Sequence, residues 1–511
     1  MFRTGRNVQG RRGYSDQDRT SVPSAPLRRP GAVASADTGS RSVRPSPSAA
    51  GRRVRGSRQR GDENARLHDY ESGVKARFDG IVPVLKEISA LQHERDFERQ
   101  AQAIAKRSLG FELPEEILAD AWVEQLDMRR LFAWCVFATY RDYCDDFYSN
   151  DPLATGHEAQ FQGFLQDCGF HTLDISPCAD GRLAHVIRYV LRLPQQEVRR
   201  KSYAGALFDV ENSLAKWIEV EMRRYREGVP NTADAPTRYL KAVVYHYSSV
   251  DPLHQGCAAH GSDTEKAAQA GLDRLESFRT AVENSFCCGA SIDLLLIGLD
   301  TDTDAIRVHL PDASGRIDLQ RFDDALDLER KRGADESAIA VALRGSNADS
   351  SDGMIRFAAR LVSNNLRQVD YVRDYHGSHY ADIGHAERFI GAGVGFEEVQ
   401  LRNLMYFAYM NTVEESTADL DVGVKIFTGL NVRHGLPIPV VIRYDYHGHV
   451  PGSRDRAVAR CQRVADAMHA RYHTLSEKGL LHTLQVTRDC DGGEGLEMLA
   501  CTVRGETGEA H

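Results

Sequence analysis

No apolar run in this 511-residue chain approaches the roughly 20 residues that a membrane span requires. The N-terminus carries arginines but no apolar core of the kind a secretory signal has. Cysteine is sparse for the length, ten in all, which excludes a disulfide scaffold. Most of the ten are expected to be buried free thiols in a reducing compartment. Cys135, Cys168 and Cys461 fall in apolar or helical surroundings and fit that expectation, whereas the Cys287-Cys288 pair receives no role. Residues 1–60 lack lysine altogether and are nearly empty of large apolar residues.

What those 60 residues do hold is arginine. They contain 14 Arg and three Asp, a net charge of +11, which leaves −20 on the other 451 residues of a chain whose total is −9. Together with their Ser, Pro and Gly content, this predicts a disordered basic tail over 1–62, because such a segment cannot bury enough surface to offset its ordering entropy. Clusters such as "GRRVRGSRQR" suit bidentate pairing with acidic surfaces. Nucleic acid is disfavoured as the partner, since the acidic body would repel phosphate.

Beyond the tail, the composition is that of a globular protein with ample core, 42% hydrophobic and 27% charged. Apolar residues recur at three and four through "FDGIVPVLKEISAL" and "LPEEILADAWVEQLDMRRLFAWCVFATY", predicting a small all-α domain over 63–152. From 153 onward strands alternate with helices, which predicts an α/β sheet with parallel strands. "HTLDIS" is a strand ending at Pro177, followed by an apolar helix stripe of Leu183, Val186, Ile187, Val190 and Leu191. "YLKAVVYHYSS" is a second strand; its loop opens a helix with Leu275, Phe278, Val282 and Phe286 on one face. "DTDTD" at 300–304 reads as a hairpin turn, since it lacks the Gly and Glu of a calcium loop.

The chain also echoes itself. Tyr245-His246-Tyr247 ends one strand with Pro252 five residues on, and Tyr444-Asp445-Tyr446 ends another with Pro451 five residues on. A helix, a strand, an Asp-rich turn and a further strand follow each. This predicts two copies of one unit, a catalytic one over 153–395 and a degenerate one without metal over 396–511. In that register His246 meets Asp445 and Cys257 meets Arg456.

In α/β sheets, sites lie at the carboxyl ends of strands. Cys178, His246 and Cys257 all stand there, and two thiolates with an imidazole select zinc, leaving a fourth position open. His254-x-x-Cys257 is the more compact pair. His246 is preferred because it ends a strand beside that of Cys178, but His254 stays open as the alternative. Asp180 and Arg182 complete the triplet Cys178-x-Asp180-x-Arg182. Taken singly, Asp180 reads as a helix N-cap and Arg182 as a solvated first-turn residue.

"CADGRLAHVIRYVLRLP" and "AVVYHYSSVDPLHQGCAAHGSD" resemble the β-class carbonic anhydrases, and more closely the carboxysomal shell carbonic anhydrases, a divergent branch formerly called ε-class. The order of parts matches over nearly the whole chain. The resemblance implies a β-carbonic-anhydrase-like central sheet flanked by helices, duplicated, with one Zn²⁺ per chain on Cys178, His246 and Cys257. It implies reversible hydration of carbon dioxide to bicarbonate. Asp180 would accept the proton of the attacking hydroxide in a hydrogen bond and aim its lone pair at carbon dioxide, and Arg182 would keep Asp180 ionised and off the metal. It places the protein in the bacterial cytoplasm, inside a carboxysome. There it would supply Rubisco and be docked through the basic tail to Rubisco or to a scaffold or shell protein, as a homodimer or higher oligomer. Two rivals remain at this stage: hydrolysis of carbonyl sulfide or carbon disulfide on the same scaffold, and an inactive shell protein stapled by zinc. No single histidine among the 19 stands out as the proton carrier.

Overall fold

The computed structural model describes residues 49–503, apart from 122–123, 154–157, 195–197, 230, 233–235, 286–290, 397–400, 411–416 and 493–494, with side chains from residue 61 onward except at 148–149, 158–159, 291 and 417–418. Nearly all of the basic tail, the Cys287-Cys288 pair and Phe286 therefore lie outside the described residues.

Two sheets organise the α/β body. The first comprises β1 (Thr172–Pro177), β2 (Val198–Arg200), β3 (Arg238–Tyr247), β4 (Ser291–Asp300), β5 (Ile306–His309) and the short β6 (Asp323–Asp324), in spatial order β2-β1-β3-β4-β5-β6. Pairs β2/β1, β1/β3 and β3/β4 are parallel; β4/β5 and β5/β6 are antiparallel. The second comprises β7 (Phe389–Gly393), β8 (Met405–Tyr409), β9 (Ile438–Arg443), β10 (Leu481–Thr487) and β11 (Glu497–Cys501), in order β11-β10-β9-β7-β8. Read from β8, the second sheet repeats the order and sense of the first from β2 to β5: three parallel pairs, then one antiparallel pair.

The central strands read as continuous apolar runs because helices cover both faces of such sheets. In β3, nine of ten residues are buried. One exception to that apolar rule is Lys241, fully buried and donating to Asp174 and Ser176. Burial pulls the Lys241 ammonium down to about 8, whereas Asp174, despite its own burial, is held at about 2 by Lys241 and Lys201. The helix Thr264–Ser285 lays Leu275, Phe278 and Val282 on this sheet. The all-α region includes the helix Met128–Asn150, capped by Asp127, which accepts from the amides of Arg129 and Arg130. This helix packs on the second sheet, where Tyr140 meets Phe389 and Arg130 bonds the Val503 carbonyl.

One local expectation is corrected. The apolar run after Cys178 is a 3₁₀ turn, Gly181–Leu183, and a π-type turn, Val186–Val190, rather than an α-helix with one apolar stripe. All five stripe residues are fully buried, so no polar face exists and nothing demands a regular 3.6-residue period.

Candidate metal centre

β1 and β3 are neighbours in register, with Pro177 opposite Val244. The ladder continues one step, the Cys178 amide donating to the Val244 carbonyl at 3.3 Å. Cys178 therefore leaves the sheet beside His246, which is itself still within β3. Cys257 comes from the following loop, where it caps the 3₁₀ turn Ala258–His260; the long helix starts only at Thr264. The three residues are buried, and their ligand atoms all lie within 4.8 Å of one another. His254 is elsewhere: its side chain is 74% exposed, bonded to Asp251.

The donor set suits a metal ion. The two sulfurs are 4.0 Å apart, far beyond the roughly 2.05 Å of a disulfide. Two thiolates at about 2.3 Å from one tetrahedral ion would sit roughly 3.8 Å apart. The Gly205 amide points at Cys178 Sγ from 3.2 Å, and the amides of Ala259 and His260 face Cys257. The Cys257 hydrogen bond, then burial, push the Cys178 thiol well up, while that same bond draws Cys257 down. Two buried thiols this close ionise together only beside a cation. His246 Nδ1 is buried without a hydrogen-bond partner, and its Nε2 is 3.2 Å from Asp180 Oδ2.

Asp180 is an N-cap and something more. Its Oδ1 accepts from the Arg182 amide at 2.9 Å and from Arg182 Nε at 3.0 Å; Oδ2 accepts from Nη2 at 2.8 Å. Arg182 is 0% exposed, which rules out a solvated first-turn residue. Its other hydrogens reach the carbonyls of Gln255, Gly256 and Ile383. The guanidinium thus ties the Asp180 turn to the Cys257 loop and to the segment leading into β7. Burial opposes ionisation of Asp180, but Arg182, then His385 and His246, hold its carboxyl well below the usual range.

Two residues here escaped the sequence reading. His385 Nε2 lies 3.8 Å from Asp180 Oδ2, and its Nδ1 is 2.9 Å from Glu387 Oε1. Glu387 in turn accepts from the Gly181 amide at 3.1 Å, so close that a Cβ on residue 181 would collide with it. His385 is 21% exposed, whereas Asp180 and His246 are not open to solvent. Burial opposes protonation of His385, but Asp180 and Glu387 raise its pKa overall. No periodicity marks "DIGHAER"; only the fold brings it to a turn some 200 residues earlier. The second sheet also braces that turn, since Phe407 N donates to Ala179 O and Asn403 N to Gly181 O.

Three family models cover the chain: Carboxysome Shell Carbonic Anhydrase, N-terminal, at residues 59–148; its catalytic domain at 160–385; and its C-terminal domain at 386–503. Among curated proteins, the chain is 57% identical over 458 residues to the carboxysome shell carbonic anhydrase of Parasynechococcus marenigrum, covering 88% of this chain and 79% of that one. It is 56% identical to a Prochlorococcus marinus protein of the same description, covering 88% and 89%. The Halothiobacillus neapolitanus protein so described is 46% identical, over 86% and 89%.

Proposed function

The chain belongs to the carboxysome shell carbonic anhydrase family, and on that premise we propose that it reversibly hydrates carbon dioxide at one Zn²⁺ held by Cys178, His246 and Cys257. The observation that carries this reading is the buried convergence of those three side chains beside a carboxylate forked to a buried arginine. When bound, the ion supplies a water acidified enough to lose a proton near neutral pH.

Everything else falls to the chain. Two thiolates would cancel the formal charge of a Zn²⁺ held there, so the ion would acidify water less than one held by three imidazoles, and orientation by the chain matters more. Asp180 Oδ2, turned towards the ligand cluster, would accept a hydrogen bond from the nucleophile and so fix its direction, remaining a carboxylate throughout. Arg182 holds both oxygens of Asp180 and keeps it ionised and off the metal. The surplus proton leaves by His385, which stands between Asp180 and solvent and is steadied by Glu387. The C-terminal unit braces the Ala179–Gly181 turn as a second subunit would in a two-fold enzyme.

The setting is inferred the same way. Activity inside a carboxysome supplies carbon dioxide to Rubisco, and the Arg-rich residues 1–60 dock the enzyme on an acidic face of Rubisco or of a scaffold or shell protein. Such docking weakens steeply with salt and is lost on deleting 1–60, with the hydration rate unchanged. The central test is carbon dioxide hydration measured together with metal content. Wild type carries one Zn²⁺ at this centre and is active. An inactive protein with the ion in place would point instead to a staple, and turnover of carbonyl sulfide alone to the neighbouring hydrolase chemistry.

A further inference from the structure

The turns beyond β9 and β10 copy those beyond β3 and β4 bond for bond. In the first unit Thr301 N donates to Tyr247 O, Ser249 N to Asp300 Oδ1, Val250 N to Asp302 Oδ2, and Asp302 N to Asp300 Oδ1. In the second, Cys490 N donates to Tyr446 O, Gly448 N to Asp489 Oδ1, His449 N to Asp491 Oδ2, and Asp491 N to Asp489 Oδ1. The side chains on this shared frame differ. Ser248 and Ser249 give their hydroxyls to Asp302 and Asp300 in the first unit, and Ser248 and Asp302 are buried. In the second unit, His447 Nδ1 lies 2.9 Å from Asp491 Oδ1 and His449 Nδ1 lies on Oδ2, with both rings open to solvent.

Serine hydroxyls suffice to pin such a turn, so two imidazoles on one carboxylate exceed what a clamp needs. Their ligand atoms and that of Asp491 all fall within 4.8 Å of one another. They are held by two turns that the backbone bonds just described tie to one another. Once each Nδ1 gives up its proton, the cluster presents two nitrogens and one oxygen. Imidazole suits zinc and its neighbours, whereas Mg²⁺ and Ca²⁺ prefer all-oxygen shells.

We propose that His447, His449 and Asp491 form a second, solvent-exchangeable site for a divalent cation of the Zn²⁺ class, clipping the turn after β9 to the turn after β10. The expectation of a metal-free second copy concerned Asp445 and Arg456; this site lies in the adjoining turn and revises that expectation.

The test counts ions in the full-length protein. After equilibration with micromolar free Zn²⁺, wild type holds one more ion per chain than the His447→Ala/His449→Ala variant, and excess Mg²⁺ does not displace it. Asp491→Asn loses the same ion. Carbon dioxide hydration is equal in all three, because none of these residues belongs to the Cys178 centre. Equal ion counts in wild type and the double variant overturn the proposal. His449→Gln guards against a folding effect, since its amide can still bond Asp491. Wild-type uptake by His449→Gln, in a protein that melts like wild type in chelator, overturns it as well.

Discussion

The molecule contains the same arginine–carboxylate fork twice, once in each α/β unit. Arg182 grips Asp180 through Nε and Nη2 at 3.0 and 2.8 Å; Arg443 grips Asp445 through the same two nitrogens at 2.8 Å each. Both arginines are fully buried, and in both pairs the partners are two residues apart. The surroundings differ. The first fork faces two thiols and an imidazole. In the second unit, Val394 takes the place of Cys178, for its amide donates to Arg443 O as that of Cys178 donates to Val244 O. Asp445 itself stands at the position of His246, and the second fork rests against Tyr140 and Phe396. The lesson is that a buried fork is not evidence of catalysis. What its free edge sees decides its use.

The harshest way to break the contrast is to make the first unit like the second. His246→Ala is expected to lose the bound ion and essentially all hydration activity, read by metal analysis and stopped-flow assay. His254→Ala should retain both, being exposed and distant from the cluster. If the two results exchange, the ligand assignment is wrong.

Next in size is the fork beside the Cys178, His246 and Cys257 cluster. Asp180→Asn should keep the ion, yet lose about 10²–10³-fold in turnover, the usual worth of one preorganised hydrogen bond to the reacting group. The amide preserves shape but presents a donor where an acceptor is needed. Near-normal turnover would reduce Asp180 to the N-cap it also is.

A smaller effect is expected one step further out. His385→Ala should slow turnover by roughly 10–100-fold in dilute buffer and recover as imidazole or another small buffer is added. A merely structural loss would not be rescued in that way. Glu387→Gln should mimic it weakly, because His385 would lose its charged partner but keep its place.

These residues also mark where the sequence was legible. Cys178 and His246 could be singled out because strand ends are visible as apolar runs broken by turn residues, whereas Cys257 lies ten residues beyond β3 in the loop that follows. Preferring His246 to His254 needed only the argument that a sheet holds a ligand better than a mid-loop does. The duplication showed as Tyr-x-Tyr followed by Pro, and its counterpart is the repeated strand order of the two sheets. His385 and Glu387 were invisible, since their role depends on a contact across 206 residues and on the space left by Gly181. The run after Asp180 reads in sequence as a helix but folds as 3₁₀ and π turns, because a fully buried apolar run has no polar face from which to take its period. The stretch 300–304 reads in sequence as a plain turn, which hides the clamps at Asp300 and Asp302. Acidic residues in a turn look solvated, and only the packed structure shows Asp302 at 0% exposure receiving the Ser248 hydroxyl.

The smallest expected effect on catalysis is the one that most sharpens the comparison. Asp445→Asn removes the charge that Arg443 neutralises, leaving a guanidinium with 0% exposed surface facing an amide. Breaking a buried ion pair from one side costs about 3–5 kcal/mol. The cost here should fall at the lower end of that range, because Asp445 keeps 12% side-chain exposure and Arg443 still donates to Tyr140. Asparagine can accept one of the two bonds but cannot balance the charge. The variant should therefore melt several degrees lower while hydrating carbon dioxide at the wild-type rate, assayed well below its midpoint, with its ion at the Cys178 centre intact. Unchanged melting would mean that the second fork does not hold the unit together. Lost activity in a protein that remains folded would mean that the brace through Phe407 and Asn403 passes strain from the second fork to the first, and that the two forks are one device.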